Sequence, residues 1–215
     1  MMKKGIVVSV CAVLLVAIAI TLYFVFPINE TIPEGVLARV NGISITEEQV
    51  NTVLEFNQIQ METYEKVFFE NFANKEEAQA QLDEMALKHP TTKDGVLTYL
   101  IRGQVFAEEL KDLGKEITLK EANDYFVQEV SSLKTEKTQQ TVYTVLTQSL
   151  TSRGKTWEDY VKLGKTFSFA YYNTLKAKQN FKSSQYDAND SASLDEQFEN
   201  YGEELLKKAE VERFS

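Results

Sequence analysis

The sequence predicts a mainly α-helical protein in which one N-terminal transmembrane helix precedes a multi-helix domain with a short β-arm. Three observations support this fold class: an uncharged apolar run near the N-terminus, one helix-starting pattern used four times, and a scarcity of turn-forming residues. The chain has 215 residues, of which 9 are glycine and 3 are proline. A β-sandwich needs a turn about every 8–12 residues, so this composition favours helices. The chain is long enough for one domain with a substantial core.

The apolar run lies within residues 1–27 and predicts a signal anchor. It extends from Gly5 to Phe26 without a charged residue and contains Cys11. At about 1.5 Å per residue it spans roughly 33 Å, which is enough to cross the hydrocarbon core of a bilayer. A cleavable signal usually has a shorter apolar stretch that ends in small residues, so cleavage is an alternative, as is lipid modification of Cys11. Two lysines before the run predict a single-pass protein of the cell membrane with its domain on the extracytoplasmic side.

Charge and cysteine content exclude several classes of function. The net charge is −9, and Cys11 is the only cysteine. An acidic surface repels phosphate backbones, so nucleic acid is not an expected partner. The chain beyond the anchor can form neither a disulfide nor a thiolate zinc site. The single histidine, His89, precedes a proline at a predicted helix end, where we expect it to satisfy terminal carbonyl groups. We predict no catalytic residue, metal or cofactor.

Local patterns divide the rest of the chain. Residues 28–35 form a polar tether, and residues 36–215 form the domain. At its start, Asn41-Gly42 separates two short aliphatic segments and is the strongest short hairpin signal. Residues 182–193 are polar and aperiodic and are interpreted as a linker. Residues 194–215 are expected to form a last helix and a closing strand.

Four helix starts share a capping pattern, in which a Ser or Thr is followed three residues later by a side chain that can bond back to it. The pairs are Thr46 with Gln49, Thr118 with Glu121, Thr156 with Asp159, and Ser193 with Glu196. Gly114 and Gly154 suit the left-handed conformation that follows a last helical turn. The predicted helices are Glu47–Phe72, Lys75–Leu87, Asp94–Leu113, Leu119–Leu133, Glu136–Ser152, Trp157–Phe181 and Leu194–Ala209.

One segment carries a family resemblance. Residues 38–50, ARVNGISITEEQV, resemble the opening of the SurA N-terminal domain and of PrsA-like extracytoplasmic foldases, where a strand, a VNG turn and an I-T pair lead into the first helix. The matching residues are Val40, Asn41, Gly42, Ile45 and Thr46. Residues 95–126, 153–162 and 201–214 are similar to later parts of the same family, in the same order.

The resemblance implies a helical chaperone module built from both ends of the chain. In PrsA-like proteins a parvulin isomerase domain lies between the last two helices, where this chain has only residues 182–193. We therefore expect no isomerase domain and no enzymatic activity.

Aromatic residues are the candidate binding site. They crowd the first and sixth predicted helices, and neighbouring rings about 100° apart require a wide apolar face. Either both helices are covered on two sides, or some rings form an exposed cradle for unfolded polypeptide. The candidate polypeptide-binding residues are Phe68, Phe69, Phe167, Phe169, Tyr171, Tyr172 and Phe181.

The leading hypothesis is a membrane-anchored chaperone that binds unfolded or newly translocated, secreted polypeptides. The first alternative is a dedicated interaction module for one envelope or secretion partner, and the second is a foldase related to peptidyl-prolyl isomerases. The oligomeric state does not follow from the sequence.

Overall fold

The computed structural model describes residues 32–214. The predicted anchor, residues 1–27 with Gly5, Cys11 and Phe26, lies outside this range, as do residues 28–31 of the predicted tether. Within the described range no helix is both long enough and apolar enough to cross a membrane. The domain itself, Gly35–Ser215, forms one compact unit.

Seven α-helices and a small sheet make up the described residues, as the fold class predicted for the domain. The strands are β1 (Val36–Val40), β2 (Ile43–Thr46) and β3 (Val211–Arg213). The helices are α1 (Glu47–Asn71), α2 (Lys75–Lys88), α3 (Lys93–Asp112), α4 (Leu119–Thr135), α5 (Gln140–Ser152), α6 (Trp157–Ser184) and α7 (Leu194–Lys208).

The sheet joins the two ends of the domain. Its strand order is β2-β1-β3, and β1 pairs antiparallel with both neighbours. The hairpin turn has positive φ angles at Asn41 (47°) and Gly42 (83°), as a tight two-residue turn requires. The Asn41 side chain also accepts the backbone N–H of Glu210 at 2.7 Å. One turn residue therefore shapes the hairpin and holds the start of the closing strand.

All four predicted capping boxes are present. Each capping hydroxyl accepts the backbone N–H three residues ahead, and the side chain at that position accepts the N–H of the cap. Such a cap typically contributes about 1 kcal/mol to helix stability. The two glycines predicted at helix ends adopt φ angles of 64° at Gly114 and 66° at Gly154. These local signals account for four helix starts and two helix ends.

Eight helix boundaries differ from the prediction, but only two of them by more than two residues. Helix α3 begins at Lys93, because the hydroxyl of Thr92 accepts the N–H of Gly95 at 3.1 Å and caps the helix one residue earlier. The helix predicted from Glu136 begins at Gln140, since Glu136 ends α4 and a 3₁₀ turn follows it. Helix α6 continues to Ser184.

The predicted linker is shorter than 182–193 and is held in place. Its first three residues belong to α6. Further along, the side chain of Gln197 accepts the N–H of Asp187 at 3.1 Å and donates to its carbonyl at 2.9 Å. The segment between α6 and α7 is therefore a loop tied to the first turns of α7.

Helix α6 is the centre of the domain and packs against α1, α3, α4 and α7. It lies tightly against α3, where a Cβ built on Gly103 would lie 2.4 Å from the Cβ of Ala170. Phe56, Phe106 and Tyr160 are among the largest side chains buried around this axis. The position of α6 explains why several of its aromatic rings belong to the core.

Candidate functional site

The structure divides the seven candidate aromatic residues into three groups. Phe167 and Phe181 are core residues, with 3% and 5% of their surface exposed. Phe69 is open to solvent, with 41% exposed. The half-buried members are Phe68, Phe169, Tyr171 and Tyr172. The prediction that all seven contribute to one binding surface is therefore wrong for Phe167 and Phe181, which α6 turns inward.

Phe181 belongs to a separate cluster that attaches α7. Its ring centroid lies 5.8 Å from that of Phe198 and 5.1 Å from that of Tyr201. Phe198 also stacks on Phe106 of α3, with centroids 5.0 Å apart. Together, Phe106, Phe181, Phe198 and Tyr201 hold the last helix against the domain. The role of Phe181 is therefore structural.

Four of the candidates lie in a continuous series of ring contacts that we call the aromatic track. Successive ring centroids are 5.1–5.7 Å apart, within the range in which aromatic pairs attract each other. In order, the track consists of Phe72, Phe68, Tyr64, His89, Phe167, Tyr171, Tyr172 and Tyr125. It runs from the end of α1 across α6 to α4. Its middle is buried, and its two ends reach the surface.

His89 lies at the buried middle of the track. Its ring stacks on Phe167, and its Nδ1 lies 3.3 Å from Oδ1 of Asn57. The Asn57 amide also donates to the carbonyl of Pro90 at 2.9 Å. Burial, with a smaller contribution from Lys88, lowers the pKa of His89 to about 4. The predicted role at terminal carbonyl groups is therefore wrong for this side chain, which is a neutral core ring.

Three tyrosines of the track, Tyr64, Tyr171 and Tyr172, are uncharged at neutral pH, because burial raises the pKa of each. Burial raises the pKa of Tyr64 to about 12, with smaller contributions from electrostatic repulsion by the Tyr171 and Glu129 side chains. Burial and a hydrogen bond to the Glu129 carboxylate raise the pKa of Tyr172 as well. Because His89 and these three tyrosines are neutral, the track offers apolar and hydrogen-bonding surface.

A groove opens at the α4 end of the track. It lies between α4, α6 and the loop before α4, and its volume is about 400 Å³. Tyr125 and Leu175 are 48% and 45% exposed there. The groove is lined by Ile117, Tyr125, Tyr172, Leu175, Lys176 and Gln179. We call this feature the α4–α6 groove.

Asn173 fixes one wall of the α4–α6 groove. Its side chain is fully buried. The Oδ1 atom accepts the N–H of Ile117 at 3.1 Å, and the Nδ2 atom donates to the carbonyl of the same residue at 3.0 Å. The loop before α4 is thus clamped to α6 through both backbone groups of one residue. A wall held in this way is pre-formed, which lowers the ordering cost of binding.

Of the groove residues, sequence reasoning singled out only Tyr172. Leu175, Lys176 and Gln179 follow it at helical spacing and could have been found from that spacing. Ile117 and Tyr125 become neighbours of Tyr172 only through tertiary packing. In residues 32–214 no cluster of three or more His, Cys, Asp or Glu side chains has an arrangement that could hold a metal ion.

These observations define a mainly helical domain with a three-stranded sheet and an aromatic track that ends in an open groove. Comparisons with protein families, with curated proteins and with solved structures find no match to this chain. The resemblance to SurA and PrsA therefore depends on short motifs. In the structure Val40 and Ile45 are buried, Asn41 and Gly42 form the turn, and Thr46 caps α1.

Proposed function

We propose that this protein is a membrane-anchored extracytoplasmic chaperone that binds unfolded or newly translocated polypeptides. The observation that carries the proposal is the α4–α6 groove, a pre-formed open groove with a mixed apolar and polar lining at the exposed end of the aromatic track. Solvent-exposed aromatic surface of this kind is typical of sites that bind other polypeptides. The apolar run at residues 1–27 supports attachment to a membrane.

The expected affinity is low. Burying one or two large apolar side chains in the groove contributes about 1.5–3 kcal/mol for each of them. Ordering an extended segment and losing its overall freedom oppose binding by several kcal/mol. A Kd in the millimolar range or weaker follows for one segment. Attachment to the membrane raises the effective concentration beside emerging chains and offsets this weakness.

No isomerase step forms part of the proposal. Residues 185–193 connect α6 to α7 at the place where PrsA-like proteins carry the parvulin domain.

The second candidate function is a dedicated interaction module. A groove with a small, defined lining favours binding of one specific partner more than an open apolar face would. Photocrosslinking in cells distinguishes the two functions. A benzoyl-phenylalanine placed at Leu175 is expected to give a broad smear of adducts, while the same group at exposed Ile43 on β2 serves as the control. One discrete adduct of fixed mass from Leu175 would favour the dedicated partner. Equal adduct patterns from the two positions would contradict both functions at this groove.

A further inference from the structure

One cation lies in the lining of the otherwise uncharged α4–α6 groove. Lys176 is half-buried beside Leu175 and Tyr172. Within residues 32–214 its ammonium group forms neither an ion pair nor a side-chain hydrogen bond, whereas Lys178, two residues later on α6, pairs with Asp195 of α7. A lysine that lines a partly apolar groove and has no partner among the described residues is available to a bound group.

The carboxylates of α4 near the groove are already engaged. Glu129 accepts the hydroxyl of Tyr172. Glu121 accepts the backbone N–H and the hydroxyl of Thr118 in the capping box of α4, at 2.9 Å and 2.7 Å. Asp124 pairs with Lys120 at 2.6 Å. Each acid on this side of α4 therefore has a partner other than Lys176.

The charge pattern of α6 differs from that of the whole protein. Between Tyr160 and Tyr186 there are five lysines and no acidic residue, although the chain carries a net charge of −9. The groove thus opens on a locally basic helix. Charge complementarity then selects among ligands that place an apolar side chain in the groove. Lys176 attracts an acidic residue next to that side chain and repels a basic one.

We propose that the α4–α6 groove binds an extended peptide segment that inserts one or two apolar side chains and places a flanking carboxylate on Lys176. The inference rests on the proposed polypeptide-binding function and specifies its preferred client sequence. Tyr125, Tyr172, Leu175 and Ile117 contact the apolar side chains, and the ammonium group of Lys176 binds the aspartate or glutamate beside them.

The effect on affinity is modest, because Lys176 is only half-buried. Exposed ion pairs change equilibria by a factor of up to about 5. A peptide with an acid beside the apolar side chain is attracted to Lys176, and a peptide with a base there is repelled. We therefore expect the Kd values of these two peptides to differ roughly threefold to tenfold. The preference is expected to disappear at 0.5 M salt, where the Debye length is about 4 Å.

The test measures binding of three labelled peptides to the full-length chain held in phosphatidylcholine nanodiscs. The peptides share a central Leu-Phe pair that is flanked by aspartate, serine or lysine. Fluorescence anisotropy at low salt is expected to rank them in that order. In Lys176→Glu the order should reverse. Lys162→Glu is the matched control, because it makes the same change in net charge about 21 Å earlier along α6, and it should keep the wild-type order.

The outcomes separate this inference from the proposed function. If all three peptides bind the wild type equally well, the carboxylate preference is wrong and polypeptide binding stands. If none binds, both ideas fail together. If Lys176→Glu leaves the peptide order unchanged and instead weakens association with phosphatidylglycerol vesicles, the groove faces an anionic membrane and the peptide assignment is wrong.

Discussion

His89 makes the stability of this domain depend on pH in a window where few other side chains titrate. Its imidazole is 6% exposed, stacks on Phe167 and approaches Asn57. Burial lowers its pKa from 6.5 to about 4. The unfolded chain therefore takes up a proton near pH 6.5, whereas the folded domain resists protonation until about pH 4. The stabilising contribution is complete above pH 6.5 and is lost as the pH falls towards 4.

The size of this effect follows from the two pKa values. At about 1.4 kcal/mol for each unit of pKa difference, the loss from pH 7 to below pH 4 amounts to about 3 kcal/mol. About 2 kcal/mol of it has already been lost at pH 5. Carboxylates titrate mainly below pH 5, so the interval from pH 7 to pH 5 reports chiefly on His89.

Two assays measure this prediction. His89 is the only histidine in the chain, so its Cε1–H resonance is unambiguous in a protein without a histidine tag, and it should titrate near pH 4. Urea unfolding should show that the wild type loses about 2 kcal/mol more than His89→Gln between pH 7 and pH 5. The Gln variant retains an amide that can bond to Asn57 but does not titrate. An imidazole pKa near 6.5, or equal pH dependence in the two proteins, would refute the reasoning.

Three further substitutions test the packing around the groove and the track. Tyr99→Phe should raise the free energy of unfolding by about 1 kcal/mol in urea titrations, because the buried hydroxyl of Tyr99 has no hydrogen-bond partner within residues 32–214; a loss of stability would reveal a partner. Gly103→Ala should lower the thermal midpoint and reduce the free energy of unfolding by about 2 kcal/mol, since the new methyl group meets the Cβ of Ala170 at 2.4 Å. An unchanged midpoint would show that α3 and α6 separate easily. Asn173→Ala should reduce the free energy of unfolding by about 2 kcal/mol and weaken peptide binding measured by anisotropy, because both backbone groups of Ile117 lose their partner. Unchanged binding would show that the loop does not shape the groove.

Local sequence patterns predicted the helix starts well because the physics of capping is local. The pairs Thr118 with Glu121 and Ser193 with Glu196 each lie within four residues of chain, so no tertiary information is needed to recognise them. The start of α5 was missed because no side chain caps it, so it carries no such local signal. Glu136 favours helices in general, but here it ends α4, and a 3₁₀ turn follows it.

The aromatic track could be predicted only in part. Helical spacing showed that α1 and α6 carry more rings than one narrow face can bury. It could not show that His89 lies between Tyr64 and Phe167, because those contacts join three separate helical segments. The division between buried Phe167 and exposed Phe69 likewise depends on which helices surround each site.

The aggregation of an unfolded client protein tests the central claim most directly. The fragment of residues 28–215 is mixed in excess with a client that aggregates on dilution from denaturant, and light scattering is followed. We expect the wild type to suppress scattering and the double variant Tyr125→Ser/Leu175→Ser to suppress it several-fold less. Ile43→Thr, an equally exposed position on β2, should behave as the wild type does. If the wild type leaves the scattering unchanged, or if the double variant protects as well as the wild type, the groove does not bind unfolded polypeptides.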